Sequence, residues 1–162
     1  MSDVQNALKR SVQTEKNAMN YYQIAAKHMK DPGAIKTFEL LAGEEREHAK
    51  QFFDSYHGDD MPSFEDFINA PPENESDWMS DLEKAIASGL NERKAMELAL
   101  EKEKKLEESL LEMCAKVSDP AVAAVYAANA KSTHNHYLII ESEYARLMGM
   151  VHETDIDTFV RE

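Results

Sequence analysis

The chain has 162 residues, 43% hydrophobic and 30% charged, with a formal net charge of -13 at pH 7. That length supports one substantial core, and the acidity argues against nonspecific binding to nucleic acid or an anionic membrane. Cys114 is the only cysteine, which excludes intrachain disulfides and any metal centre built on paired cysteines of one chain. No apolar run approaches the roughly 18 residues of a membrane span, and Asp3, Lys9, Arg10 and Glu15 interrupt any signal-like stretch, so a cytoplasmic location is expected.

In chain order, Leu8, Val12, Glu15, Met19, Tyr22, Ala26 and Met29 recur at helical spacing and predict a first helix over residues 3–30. Glu15 alone interrupts its apolar stripe. Tyr22 lies on the Glu15 face, either as a core tyrosine or as a hydrogen-bond donor to a metal-bound carboxylate. His28 falls off that face and is expected at the surface. Asp31-Pro32 then supplies a stop and a restart, with Asp as N-cap and Pro at the first helical position.

A second helix, over residues 33–56, carries Leu41, Glu45, His48 and Phe52 on one stripe. Glu45 and His48 share a helix face, and a carboxylate buried there is costly unless its charge is compensated. Glu44 falls off that face. Glu15 precedes Asp31 by 16 residues and Glu45 follows it by 14. At about 1.5 Å per residue these are about 24 and 21 Å of helix, so an antiparallel hairpin brings the two carboxylates level.

Beyond His57-Gly58-Asp59-Asp60 the helical period disappears, and turn signals recur from Met61 to Ser76. This connection is longer than most loops in compact domains. Phe64, Phe67 and Trp78 predict that it packs along the bundle as a crossover, starting the third helix at the end from which the first began. Residues 78–88 form either a short helix ending near Gly89 or an extension of the third helix.

The third helix, over residues 91–117, places Met96, Leu100, Glu103, Leu106 and Leu110 inward. Its outer side carries Glu101, Lys102, Lys104, Lys105, Glu107 and Glu108. Cys114 reads as a small buried hydrophobe. The fourth helix, over residues 120–148, directs Val122, Val125, Asn129, Thr133, His136, Ile140, Tyr144 and Leu147 inward, the most polar interior face of the four.

An offset of 88 residues carries Asp31-Pro32 onto Asp119-Pro120, Glu15 onto Glu103 and His48 onto His136, whereas Glu45 falls on Thr133. Two similar hairpins, each burying one face, predict an all-α, antiparallel four-helix bundle with a long crossover between helices 2 and 3. A single domain is expected: hairpin 1 over 3–57, crossover 58–80, hairpin 2 over 90–148 and a tail 149–162. Glu15, Glu45, His48, Glu103 and His136 then meet in the middle as candidate metal ligands, a donor set suited to iron, manganese or zinc. Tyr22, Asn129 and Thr133 are expected around them. The alternative is a buried polar network without a metal. His134 is rotated about 100° from Thr133 and does not replace the lost carboxylate. In the tail, Ile156, Phe159 and Val160 are expected to cover a bundle end or a neighbour.

The stretches Glu15-Lys16-Asn17-Ala18-Met19-Asn20-Tyr21-Tyr22, Glu44-Glu45-Arg46-Glu47-His48-Ala49-Lys50 and Glu103-Lys104-Lys105-Leu106 resemble the rubrerythrin branch of the ferritin-like superfamily, in its short form without a rubredoxin domain. The resemblance covers roughly residues 5–148. It implies that Glu15 is the first-helix ligand, Glu45 and His48 the second-helix pair, Glu103 a bridging or terminal carboxylate, and His136 the fourth-helix histidine. No catalytic residue beyond these ligands is implied. It further implies a carboxylate-bridged iron pair that reduces peroxide or activates dioxygen, a separate electron donor, and a homodimer.

Thr133 departs from the family pattern, since a neutral hydroxyl is a much poorer ligand than a carboxylate. Counted by hairpin, Glu15, Glu45 and His48 face only Glu103 and His136, so the metal position served by Glu45 and His48 is expected to fill more readily than its counterpart near His136. A degenerate bundle with one metal or none, in a structural, metal-binding or protein-interaction role, is the competing expectation.

Overall fold

The computed structural model describes residues 3–160, with side chains described as far as residue 149. The expected contribution of Ile156, Phe159 and Val160 lies outside the described side chains. Among the described residues six helices form: α1 (Asp3–Ala26), α2 (Pro32–Ser55), α3 (Phe64–Ile68), α4 (Asp77–Ala87), α5 (Glu92–Lys116) and α6 (Pro120–Val160). No strand occurs among the described residues. α1 packs along α2 and α5 along α6, so the two hairpins predicted from the repeated Asp-Pro turns are present.

Local chemistry sets most of the boundaries. The Asp31 carboxylate accepts from the Ala34 N–H at 2.9 Å, and Pro32 opens α2. α1 ends earlier than its stripe suggests: the N–H groups of Lys27, His28 and Met29 bond carbonyls three residues back, a tightened final turn. The 77–87 segment is a separate helix, capped by Ser76 and ended before Gly89, whose φ of +92° is the left-handed conformation glycine tolerates. Asn91 then caps α5 through the Lys94 N–H at 2.9 Å. α6 continues past residue 148 through Val160, so the region assigned to a tail is largely helical.

The crossover packs along the bundle as its aromatics indicate. Phe64 meets Phe53 at 5.4 Å between ring centroids, and Trp78 meets Tyr21 at 5.2 Å. Lys16, buried in α1, donates to Asn20 at 2.9 Å and to the Pro71 carbonyl at 3.2 Å, tying the passing chain down. Its direction differs from the expectation. The Lys30 N–H donates to Glu92 at 3.1 Å and the Tyr21 hydroxyl to the Ala95 carbonyl at 2.5 Å, so α5 begins where α1 ends. A connection that starts at the end of α2 and travels the length of the bundle delivers the chain to the opposite end.

α2 and α6 are therefore antiparallel, and their contacts run in exchanged pairs: His48 with Ser132 and Glu44 with His136. That exchange is the signature of twofold symmetry between the repeats. Lys102, expected on the charged outer side, is instead covered by α4 and paired with Asp81 at 2.5 Å. Cys114 is half-buried, its sulfur 3.5 Å from the Ala123 carbonyl.

Candidate metal centre

Four helices, α1, α2, α5 and α6, each place a carboxylate or an imidazole into the largely apolar interior. Glu15, Glu45, Glu103 and His136 have no exposed surface, and His48 retains 5%. Two clusters result, Glu15/Glu45/His48 and Glu45/Glu103/His136, within each of which one donor atom per residue lies within 4.8 Å of the others. Glu45 belongs to both. Its Oε2 faces His48 Nδ1 at 3.7 Å and its Oε1 faces His136 Nδ1 at 2.8 Å. Glu15 Oε2 stands 3.6 Å from His48 Nδ1, and Glu103 Oε2 stands 3.8 Å from His136 Nδ1. The two imidazoles are stacked, 5.2 Å apart and within 7° of parallel. Where the hairpin count expects three residues against two, the two clusters hold three each, because Glu45 belongs to both.

The inward atoms are close without bonding one another. Both oxygens of Glu15 and of Glu45, Oε2 of Glu103, and Nδ1 of each histidine lack a hydrogen-bond partner. Even the 2.8 Å approach of His136 Nδ1 to Glu45 is too poorly aligned to be a hydrogen bond. Buried, unpartnered carboxylates cost several kcal/mol each unless a charge compensates them. Oxygen and imidazole donors aimed at common points fit divalent cations, so these residues are capable of holding metal at two adjacent positions.

The outward atoms, by contrast, are satisfied. Glu44 meets His136 Nε2 at 2.8 Å, and Ser132 meets His48 Nε2 at 2.8 Å. A partner on the outer nitrogen fixes ring orientation and leaves Nδ1 free to ligate. Neither residue was singled out from the sequence, because each lies at the flank of its helix rather than on the inward stripe. The repeat itself is the signal that finds them: Glu44 and Ser132 are also 88 residues apart. The second copy has thus exchanged Glu44-Glu45 for Ser132-Thr133.

Tyr22 donates its hydroxyl to Glu103 Oε1 at 2.7 Å, the role of hydrogen-bond donor to an inward carboxylate. Thr133 is fully buried and its hydroxyl has no partner. Asn129 donates to Gln51 at 2.9 Å and to the Val125 carbonyl at 2.8 Å, neither of them a member of the clusters. His134 points outward to Glu107 at 3.1 Å. Tyr126, absent from the predicted inward stripe, is buried against Phe52.

Burial pushes Glu15 well above the usual carboxylate range, and the adjacent Glu45 adds to that rise. Burial also raises Glu103, to about 7, aided by the Glu45 charge and opposed by His136 and Tyr22. For Glu45, burial is outweighed by contacts with Glu15, His136 and His48, which hold it below the usual range. Burial disfavours the charged imidazoles, yet the surrounding carboxylates raise His48 to about 10 and His136 to about 11. Protons therefore balance the cluster where cations are not bound.

Among the described residues no helix is long and apolar enough to cross a membrane. No curated protein and no solved structure matches the chain. The Rubrerythrin family model matches residues 6–144, a span that contains every residue of the two clusters. With the helical hairpins, the two Glu/Glu/His clusters and that match in agreement, the chain belongs to the rubrerythrin family.

Proposed function

We propose that this protein is a non-haem iron oxidoreductase that reduces peroxide or activates dioxygen at the Glu15, Glu45, His48, Glu103 and His136 centre. Manganese and zinc are the competing metals for the same donors. The observation that carries this reading is the pair of Glu/Glu/His clusters sharing Glu45, with every inward donor buried and unpartnered. The reading further takes the chain as a single ferritin-like domain, cytoplasmic and homodimeric, supplied with electrons by a separate donor.

When bound, an iron pair supplies electrons and Lewis acidity for reducing an oxygen–oxygen bond. The chain's own residues supply the remainder. Glu45 would serve both positions, with Glu15 and His48 holding one ion and Glu103 and His136 the other. Ser132 and Glu44 fix the rings. Tyr22 holds Glu103 in place, and it stays protonated because burial and the neighbouring Glu103 charge push its hydroxyl well above the ordinary phenol range. Burial of all five donors excludes bulk water and strengthens each electrostatic contact.

Thr133 supports a second reading, a metal-holding bundle without turnover, since its unpartnered hydroxyl occupies the place of a fourth-helix carboxylate. Anaerobic loading with ferrous iron, addition of peroxide and repeated reduction distinguish the two. Stoichiometric peroxide consumption through several cycles supports the oxidoreductase. Metal retained through the cycles with neither peroxide nor, in a parallel aerobic run, dioxygen consumed refutes it.

A further inference from the structure

Three aromatic rings in mutual contact lead from the Glu103 side of the cluster to the flank of the bundle. Tyr22 is innermost, its hydroxyl donating to Glu103 Oε1 at 2.7 Å. Between ring centroids, Tyr22 lies 5.3 Å from Tyr21 and 6.0 Å from Trp78, and Tyr21 lies 5.2 Å from Trp78. Both tyrosines are wholly buried. The indole of Trp78 keeps 6% of its surface and borders a cleft shared with the exposed residues Asp77, Lys105 and Ser109. Edge-to-face packing of this kind accounts for the stability of the aromatic group. It does not require that the innermost ring be hydrogen-bonded to a carboxylate of the cluster and the outermost be the chain's only indole, placed at the surface.

We propose that Tyr22 and Trp78, coupled through Tyr21, form a one-electron conduit that carries oxidising equivalents from the Glu103 side of the centre to the surface. Indoles and phenols lose a single electron more readily than any other side chains except thiols. The only thiol, Cys114, lies about 16 Å along α5 from Glu103, beside Ala123. Electron tunnelling decays steeply with distance, and rings in van der Waals contact keep each step short.

Hydrogen-bond partners decide which ring holds the electron vacancy. A phenol that loses an electron becomes a strong acid and must pass its proton to a base. The Tyr22 hydroxyl faces one, the Glu103 carboxylate. The Tyr21 hydroxyl donates instead to the Ala95 carbonyl at 2.5 Å, an amide oxygen too weakly basic to take the proton. Tyr21 therefore couples the other two rings without being oxidised itself. In the outward step Trp78 gives one electron to the Tyr22 phenoxyl radical, which regains its proton from Glu103, and the indole N–H proton passes to water. A soluble one-electron donor of the ascorbate class then returns one electron to the indolyl radical, which takes a proton from water. The conduit rests on the oxidoreductase reading only for its purpose, the discharge of a centre left oxidised when its electron donor is absent.

Chelated, metal-free protein tests the conduit by running it in reverse, so no result depends on whether the centre turns over. Pulse radiolysis in azide solution supplies azide radicals, each of which takes one electron from Trp78 to give azide anion and an indolyl radical, the N–H proton going to water. Tyr22 is then expected to return one electron to the indole and its own proton to Glu103, while the indole takes a proton from water. The indolyl absorption should decay as a phenoxyl absorption grows, at a rate independent of protein concentration. Tyr22→Phe is expected to abolish that coupled growth, Tyr21→Phe to retain it, and Trp78→Phe to remove the indolyl signal, with circular-dichroism melts establishing that each variant folds. Tyr137→Phe combined with Tyr144→Phe removes two half-buried tyrosines outside the group and is expected to leave the rate unchanged; this variant decides the matter if Tyr22→Phe does not fold. Indolyl decay without phenoxyl growth, a rate that scales with protein concentration, coupled growth that survives in folded Tyr22→Phe, or its loss in the Tyr137/Tyr144 variant overturns the conduit.

Discussion

Glu45 offers the sharpest test, because one side chain serves both clusters while its neighbour Glu44 serves neither directly. Glu45→Gln removes a charge that lies 2.8 Å from His136 Nδ1 and 3.7 Å from His48 Nδ1, with almost no change in volume. Glu44→Gln changes only what His136 Nε2 meets. At free metal about 100-fold above the dissociation constant, one filled position stabilises the fold by about 2.7 kcal/mol. For a chain of this size that is a rise of about 5–11 °C in melting temperature. Loss of an outer carboxylate costs about 10–100-fold in affinity. At the tenfold end the stabilisation falls to about 1.4 kcal/mol, so Glu44→Gln keeps roughly half the shift from the His136 position. Glu45→Gln is expected to lose nearly all of it at both positions. Circular-dichroism melts in chelator and in buffered metal measure the difference, and calorimetric titration gives the affinities. Equal metal-dependent shifts in the two variants would show that Glu45 is not the shared ligand.

Thr133→Glu is expected to raise metal affinity and bring the metal-to-protein ratio, by plasma emission analysis, to two. The same change should destabilise the chelated protein by about 3 kcal/mol or more, since it adds an uncompensated carboxylate to a buried cluster; unchanged affinity and coordination would refute the missing-ligand reasoning. In the chelated protein, His48 and His136 have folded values of about 10 and about 11. Their contribution to stability is complete below the ordinary imidazole value near 6.5 and is lost as pH rises through those raised values. Glu15 is raised and Glu103 is raised to about 7, so both favour their protonated forms in the fold. Stability therefore also falls as pH climbs from the ordinary carboxylate value of about 4.3 toward 7. The urea midpoint of chelated protein should decline from about pH 5 to about pH 9, and a rise would contradict the assignment. Metal binding should tighten over the same range with measurable proton release, because ligation displaces those protons. Asp31→Ala removes both the cap on α2 and a 2.6 Å contact with Arg146. Its expected cost of about 1–2 kcal/mol, read by calorimetric melting, should exceed that of Asp119→Ala, whose carboxylate accepts only from backbone N–H groups of α6.

The amino-acid sequence by itself determined the relations that lie within one helix or one hairpin. A carboxylate inside an apolar stripe is a local anomaly, so Glu15, Glu45 and Glu103 are legible from helical periodicity alone. The Asp-Pro pairs are legible because capping chemistry acts over three or four residues. The 88-residue repeat extended that reading to His136 and to the lost carboxylate at Thr133. Relations between helices were decided only by the tertiary structure. Glu45 serves both clusters because α2 and α6 cross with its two oxygens facing different histidines. Glu44 and Ser132 hold those histidines from the flanks of their helices, where sequence spacing looks like ordinary surface. Lys102 is buried because α4 lies over it, and α5 starts beside the end of α1 because the crossover runs the length of the bundle. Helical periodicity fixes an angle around one axis, whereas the path of a long connection and the packing it permits set where one axis lies against another.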